Sequence, residues 1–206
     1  MAGLDVAAVL FDMDGTLVDS DAAVERAWHS WGSEFGVDGV AAVALAHGSP
    51  SEPTVRKLLA GAGEDRIAAA VRRQMALQYD DVADVVATPG ALELIAALDR
   101  RGMPWAVFTS ADARLAKARL GAAGIAAPLL VTTDDVRAGK PDPEGWVRAA
   151  ALVGVPPEKC LVVEDAEVGL AAARAAGAWT AALRGLDGDL RISSLAELVP
   201  ALGLDR

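Results

Sequence analysis

The sequence is poor in cysteine and contains no long hydrophobic run. Cys160 is the only cysteine among 206 residues, so no disulfide forms within the chain, and its place in the apolar run 160–163 predicts a buried, inert thiol. Nowhere do about 18 apolar residues follow one another, which argues against a membrane-spanning helix. The first residues lack the basic and apolar regions of a signal peptide. We therefore expect a cytoplasmic protein with no membrane partner.

Positive charge is also scarce. The chain has 19 Lys and Arg residues against 29 Asp and Glu residues, for a net charge of -10. Such a chain repels the phosphate backbone, so we expect no nucleic-acid partner. It would equally repel a small phosphate ester. An enzyme acting on one must therefore supply local positive charge from Lys, Arg, helix N-termini or a metal ion.

Short apolar runs separated by helical patterns indicate the fold class. The runs cover residues 6–11, 105–108, 129–131, 160–163 and 179–183. This alternation predicts an α/β fold with a doubly wound parallel sheet. Between the first two runs, the segment 88–102 is typical of one helix, with Thr88 as N-cap, Pro89 at the first helical position and Gly102 as the stop.

An inserted segment precedes that helix. About 75 residues follow the first strand, far more than the roughly 2–6 residues of an ordinary strand-to-helix loop. Helical patterns cover residues 21–35, 54–59 and 64–79 without a convincing strand. We therefore predict an all-helical cap domain at residues 21–86 and a core domain of residues 1–20 and 87–206. Trp28, Trp31 and Phe35 recur at helical spacing, which favours a core-facing stripe over a ligand-binding surface.

Two carboxylates end the first strand. Asp12 and Asp14 are two residues apart on an extended segment and so project to the same side. Ligands of open α/β sheets bind at the carboxyl ends of the strands. Taken alone, the pair is more typical of an acidic surface turn than of a catalytic site.

Polar residues at later strand ends add to the pair. Thr109 and Ser110 offer hydroxyls and, at a helix N-terminus, backbone N–H groups for phosphate oxygens. Lys140 lies on a stiff loop and can supply a point charge. Glu164 and Asp165 add carboxylate oxygens, which Mg²⁺ prefers. Each has a structural alternative, namely a capped helix, a solvated lysine or an acidic first turn.

Together these segments resemble the haloacid dehalogenase-like (HAD) superfamily. Its four motifs correspond to residues 11–20 (FDMDGTLVDS), 108–110 (FTS), 139–141 (GKP) and 163–165 (VED). The resemblance implies a Rossmann-like core with a helical cap beside the active site. Residues 23–28, 47–56 and 104–110 add a finer likeness to sugar and polyol phosphatases of the 2-deoxyglucose-6-phosphatase and glycerol-3-phosphatase type.

The resemblance implies a phosphoric monoester hydrolase that works with Mg²⁺. Asp12 would attack phosphorus and carry the phosphoryl group, while Asp14 would act as general acid and base. Thr109 and Lys140 would complete the catalytic set. The Mg²⁺ ligands would be Asp12, the backbone carbonyl of Asp14, Asp165 and, directly or through water, Glu164. Gly15 would permit the tight exit from the strand, and the Thr16 hydroxyl would orient the loop.

The implied substrate is a small phosphorylated sugar or sugar alcohol, bound by a monomer. Substrate-binding candidates are Thr109, Ser110, Lys140, His47 and Arg56. His47 is equally well a loop residue that satisfies backbone groups. For Arg56, a solvated helix face is favoured over a substrate contact. Glu167 places an extra charge near the metal-binding loop, where the family has small or proline residues.

Three rival functions share parts of this pattern. A dehalogenase also uses an aspartate nucleophile, but its leaving group needs no acid, so Asp14 argues against it. A hexose-phosphate mutase of the β-phosphoglucomutase type shares all four motifs. Its hinge histidine corresponds to Val24 here, which lowers that option. A non-catalytic binding protein would be expected to have lost part of the set.

Overall fold

The computed structural model describes residues 5–46 and 48–205. Its strands are β1 Ala8–Phe11, β2 Val18–Asp19, β3 Val86–Ala87, β4 Trp105–Phe108, β5 Leu130–Val131, β6 Cys160–Glu164, β7 Trp179–Ala182 and β8 Leu190–Arg191. Its α-helices are α1 Asp21–Phe35, α2 Gly39–Ala46, α3 Ser51–Leu58, α4 Glu64–Tyr79, α5 Ala91–Arg101, α6 Ala113–Ala122, α7 Glu144–Val153, α8 Glu167–Ala175 and α9 Leu198–Ala201.

Six strands form one sheet in the order β5-β4-β1-β6-β7-β8. Every pairing in this sheet is parallel. Helices cover both faces, as parallel sheets require because their connections cross over the faces. The predicted doubly wound α/β fold is confirmed. The short strand β8 extends the sheet at the edge and was not predicted.

The strands are apolar throughout because each one serves two cores. In β1, Val9 and Phe11 pack into the core on one face, whereas Ala8 and Leu10 pack into the core on the other. Strand residues alternate in direction, so a strand covered on both faces has no polar side. Helices α5 and α6 close the first core, and α7 and α8 close the second.

Helix α5 begins later than the sequence predicts. Its N-cap is Gly90, with φ 83°, rather than Thr88. The Thr88 hydroxyl instead donates a hydrogen bond of 2.5 Å to the carbonyl oxygen of Thr16, so residues 88–90 form a turn that ties the helix to the loop after β1. The predicted stop is confirmed, because Gly102 caps the helix with φ 62°.

Helices α1 to α4 pack around a separate small core. Trp28 and Trp31 are buried there with Val55 and Ile67, and the Trp31 indole N–H donates to the carbonyl oxygen of Ala70 at 2.9 Å. The prediction of a core-facing aromatic stripe is confirmed. The chain enters and leaves this helical unit through the antiparallel pair β2 and β3.

Two expectations from composition can be checked on the fold. Cys160 is a buried free thiol, and burial raises its pKa to about 11. It is therefore not poised as a nucleophile. Among the described residues, no helix combines the length and the apolar character needed to cross a bilayer.

Candidate active site

The carboxyl ends of three adjacent strands meet at one edge of the sheet. Strand β1 lies between β4 and β6, so Asp12, Thr109 and Asp165, each just beyond its strand, come together there. Lys140 reaches the same place from the loop before α7. The sequence predicts this convergence, and the structure brings the four side chains together.

Lys140 is enclosed by opposite charge and aromatic rings. Its Nζ lies 2.5 Å from Asp12 Oδ1 and 2.7 Å from Glu164 Oε2. The rings of Phe108 and Trp146 have their centroids at 5.1 and 4.9 Å from the same nitrogen. Burial by itself would lower the pKa of Lys140, but the two carboxylates raise it overall. The ammonium is therefore held charged beside the predicted nucleophile.

Three buried carboxylates form a candidate metal centre. Asp12, Glu164 and Asp165 offer oxygens that all lie within 4.8 Å of one another. Burial first, and then the charge of Glu164, raise the pKa of Asp12 to about 7. Burial also raises the pKa of Glu164. A set of hard oxygen donors that repel one another fits a divalent cation, which would offset that repulsion.

The loop after β1 must pass close to this cluster. Gly15 has φ 80°, and a Cβ built on it would lie 2.1 Å from Asp165 Oδ2. Only glycine tolerates both conditions, as the sequence suggests. The prediction for Thr16 is wrong, because its buried hydroxyl has no hydrogen-bond partner among the described residues. Its carbonyl oxygen, bound to Thr88, anchors the loop instead.

The phosphate-binding segment differs in part from its prediction. Thr109 is buried, and its hydroxyl accepts from the Ala111 N–H at 3.1 Å. Helix α6 begins only at Ala113, whose N–H donates to Asp134, while Asp112 accepts from a later N–H of the first turn. Carboxylates therefore occupy this helix N-terminus, and the expectation that it receives phosphate is wrong. The Thr109-Ser110 loop itself remains the candidate phosphate contact.

Asp14 has partners that the sequence did not reveal. Its Oδ1 accepts hydrogen bonds from Ser20 Oγ at 2.6 Å and from Arg119 Nη1 at 2.8 Å. Arg119 is only 2% exposed, and its Nη2 donates to Gln78 Oε1 of the helical unit at 2.8 Å. One signal could have found it, since Arg119 falls on the buried stripe of α6 with Leu115 and Leu120.

Two cap residues were predicted to bind substrate. Arg56 is exposed, and its guanidinium is paired with Glu52 at 3.0 Å and Glu64 at 2.9 Å. It is not among the side chains that line the cavity below, because α3 presents it to solvent and to α4. We therefore correct that assignment. His47 lies outside the described residues.

A cavity of about 100 Å³ lies between the helical unit and the sheet edge. The side chains lining it from the sheet side are Asp12, Asp14, Thr109, Ser110, Ala111, Leu115 and Arg119, and those from residues 20–78 are Ser20, Asp21, Val24, Trp28, Ala46, Ser49, Ser51, Met75 and Gln78. The segment between α2 and α3 contacts the site directly, since Ser110 Oγ donates to the carbonyl oxygen of Gly48 at 3.3 Å.

Comparison with known families agrees with this geometry. The sequence model of haloacid dehalogenase-like hydrolases matches residues 6–177, which include all four motif segments and the residues that form the cavity. The chain belongs to this family.

Several relatives of the hydrolase are named as phosphatases. The chain is 41% identical over 169 residues to hexitol phosphatase A of Escherichia coli, covering 82% of this chain and 78% of that protein. It is 33% identical over 200 residues to 2-deoxyglucose-6-phosphate phosphatase 2 of Saccharomyces cerevisiae, covering 87% and 80%. A hydrolase structure from Pseudomonas syringae superposes with a TM-score of 0.86 at 25% identity, covering 96% and 98%.

The hydrolase has one further basic residue beside its candidate metal centre. Arg184 Nε lies 2.8 Å from Asp165 Oδ2, and Arg184 Nη2 lies 2.9 Å from both carboxylate oxygens of Asp21 at the start of α1. It therefore links the acidic cluster to the first cap helix. Glu167, the extra charge noted in the sequence, is exposed and faces Arg174 at 3.8 Å.

Proposed function

We propose that this hydrolase is a Mg²⁺-dependent phosphatase of small phosphorylated sugars or sugar alcohols, and that it carries the phosphoryl group on Asp12. The observation that carries the proposal is that the Lys140 ammonium and the acidic cluster meet at Asp12, whose carboxylate lines the cavity beneath the helical unit. The enzyme is a phosphoric monoester hydrolase. All residues used below come from one chain, so a monomer suffices.

Charge neutralisation is the first requirement, because an anionic nucleophile must approach an anionic phosphate. Lys140 supplies one buried positive charge beside Asp12. Asp12, Asp165, Glu164 and the backbone carbonyl of Asp14 would hold Mg²⁺, consistent with their hard oxygen donors. When bound, the ion supplies further positive charge next to the transferring phosphoryl group.

Transfer to the enzyme forms one bond and breaks another. An oxygen of Asp12 attacks phosphorus, the bond from phosphorus to the substrate oxygen breaks, and the leaving alkoxide takes a proton from Asp14. Asp14 suits this role because it is only partly buried and lines the cavity that would hold the leaving group. Thr109 and Ser110 contact the phosphate.

Hydrolysis of the aspartyl phosphate completes the cycle. A water molecule attacks phosphorus and gives its proton to the Asp14 carboxylate. The bond between phosphorus and Asp12 breaks, which releases phosphate and regenerates both carboxyl groups in their starting states. The same residue thus serves as acid and then as base.

The cap wall indicates the class of leaving group. Its polar side chains near the cavity are Ser49, Ser51 and Gln78, which are uncharged, and Asp21, whose carboxylate is paired with Arg184. The apolar Trp28 and Met75 lie beside them. Neutral donors and acceptors beside apolar surface suit a hydroxylated, uncharged carbon chain. The names of the phosphatase relatives above agree with this class.

The size of the cavity points the same way. An enclosed cavity of about 100 Å³ between the helical unit and the sheet edge suits a small phosphate ester, and a macromolecule cannot be enclosed in it.

A panel of phosphate esters tests the proposal. Phosphate release from hexose 6-phosphates, fructose 1-phosphate, hexitol phosphates, glycerol 3-phosphate, nucleotides and phosphoamino acids would be ranked by kcat/KM, in which discrimination resides. We expect sugar and polyol phosphates to rank first. If nucleotides or phosphoamino acids outrank all of them, the substrate class is wrong.

The same panel separates hydrolysis from phosphoryl transfer between sugar hydroxyls. Val24, which lines the cavity, has no group that could assist such a transfer as the mutase histidine does. We expect glucose 1-phosphate to release phosphate or to remain intact. Its conversion to the 6-phosphate without phosphate release would replace the phosphatase with a mutase.

A further inference from the structure

Arg119 stands between the candidate acid–base residue and the cap. It lies in the last turn of α6, is 2% exposed, and uses two different nitrogens for two partners. Nη1 donates to Asp14 Oδ1 and Nη2 donates to Gln78 Oε1, both at 2.8 Å. The planar guanidinium fixes the angle between these two bonds. The position of Asp14 is thereby tied to that of a cap residue.

The bonds at Asp14 leave one oxygen for chemistry. Ser20 and Arg119 both donate to Oδ1. Within residues 5–46 and 48–205, no group donates a hydrogen bond to Asp14 Oδ2. The carboxylate is therefore held by one edge, while its other oxygen is available for proton transfer to and from the substrate.

The bonds at Gln78 fix its amide. Its Nε2 donates to Gln74 Oε1 and, at 3.3 Å, to Ser51 Oγ. With the nitrogen used within the cap, the amide oxygen is the group left to accept from Arg119. Outward movement of α4 would break this bond and leave a buried guanidinium nitrogen without an acceptor, which is unfavourable. Closure of the cap therefore favours the arrangement in which Arg119 holds Asp14.

We propose that Arg119 is a positioning residue of the phosphatase reaction, which holds Asp14 in place for proton transfer and, through Gln78, makes that placement depend on cap closure. The inference rests on the proposed function, in which Asp14 protonates the leaving group. Arg119 acts through Asp14 and not on the phosphate. Proton transfer would then begin only after cap closure has excluded bulk water from the site.

The first test compares leaving groups. Arg119→Met should lower kcat about 100-fold for an alkyl ester such as glycerol 3-phosphate, whose leaving group needs a proton, a size typical of acid–base catalysis. With p-nitrophenyl phosphate, phosphorylation of Asp12 needs no acid, so the variant should show a burst of nitrophenol followed by slow turnover. Equal losses without a burst would overturn the proposal.

Lys117→Met is the matched control. Lys117 is exposed on the same helix, two residues earlier, and its loss removes the same charge. We expect wild-type kinetics. If Lys117→Met reproduces the Arg119→Met pattern, the effect is one of net charge and the positioning role is wrong.

A double-mutant cycle tests whether Arg119 acts through Asp14. If it does, adding Arg119→Met to Asp14→Asn should change kcat less than about twofold, since the interaction is already lost. If the fold-losses in kcat of the two single variants multiply in the double variant, Arg119 acts independently of Asp14 and the proposal is contradicted.

Gln78→Leu tests the link to the cap. We expect a fall in kcat of about tenfold on glycerol 3-phosphate, with little further effect in the Arg119→Met background. A change confined to KM would show that Gln78 only binds substrate, and the cap coupling would be rejected.

Phosphate inhibition distinguishes a positioning role of Arg119 from direct binding of the phosphoryl group. Inhibition by inorganic phosphate should be unchanged in Arg119→Met, and a Ki raised tenfold or more would make Arg119 a phosphate ligand instead.

Arg119→Lys provides a second variant if the methionine variant does not fold. It keeps the positive charge but cannot donate to Asp14 and Gln78 from two fixed nitrogens, and it should show the same burst of nitrophenol. Wild-type enzyme inactive on every phosphate ester would instead refute the proposed function.

Discussion

The carboxylate of Asp12 is the single group on which the proposed reaction depends. Asp12→Asn keeps its size and its contact with Lys140, but an amide cannot attack phosphorus. We expect kcat on p-nitrophenyl phosphate to fall by roughly four orders of magnitude or more, as when other nucleophiles are removed. Urea unfolding should show a folded protein. Asp65→Asn, on the exposed first turn of α4, is the control, and Asp12→Asn activity within tenfold of wild type would refute the assignment.

Asp165 and Glu164 have different basic neighbours, and this difference predicts how much each contributes to Mg²⁺ affinity. Both carboxylates face a cation, but Lys140 beside Glu164 is buried, whereas Arg184 beside Asp165 is partly exposed and can move aside for the metal ion. Asp165→Asn should therefore weaken Mg²⁺ binding more than Glu164→Gln does, by about 10- to 100-fold. Isothermal titration calorimetry measures the Mg²⁺ affinity of each variant directly.

EDTA should abolish turnover, Mg²⁺ should restore it, and the larger Ca²⁺ should substitute poorly. Glu167→Gln should leave Mg²⁺ affinity unchanged, because that side chain is exposed.

The loop between β1 and β2 is the element that sets the site geometry. Gly15→Ala would force a Cβ into a left-handed residue and against Asp165. We expect a loss of about 2 kcal/mol or more in the free energy of unfolding, together with weaker Mg²⁺ binding. Gly121→Ala is the matched control, since it lies in α6 with open space around it and should be stabilising by about 0.5–1 kcal/mol. Urea denaturation of both variants checks the opposite signs. Equal stability for Gly15→Ala and wild type would contradict the close approach.

At the scale of the whole molecule, the net charge of -10 opposes the approach of an anionic substrate. Raising NaCl from about 20 to 200 mM shortens the Debye length from roughly 20 to 7 Å. We expect kcat/KM for a dianionic sugar phosphate to rise about twofold at constant Mg²⁺. Inhibition by an uncharged polyol product should not change over the same range. A fall in kcat/KM would show that the positive charges at the site dominate the field that the substrate meets.

Local patterns in the sequence identify the parallel sheet and the residues at its strand ends. Apolar runs indicate strands that are buried on both faces, and the carboxylates of Asp12 and Asp165 stand just beyond two such strands. Helices with a clear apolar stripe, such as α1 and α4, were predicted with their observed bounds. Helix α2 was missed because its eight residues contain no charged or polar side chain, so no polar face alternates with an apolar one.

Only the tertiary structure decides which distant side chains meet. Arg119 lies 105 residues from Asp14 and 41 from Gln78, and no local periodicity encodes such a pairing. The same reason explains the error at Arg56. Its charge suggested a substrate contact, but the packing of α3 against α4 places Glu64 within reach, and the guanidinium is neutralised away from the cavity. The sequence therefore determines which chemical groups stand at the strand ends, since neighbouring residues fix each strand. The packing of the cap on the core determines which other side chains hold those groups in place. This packing depends on contacts between segments that are far apart in the chain.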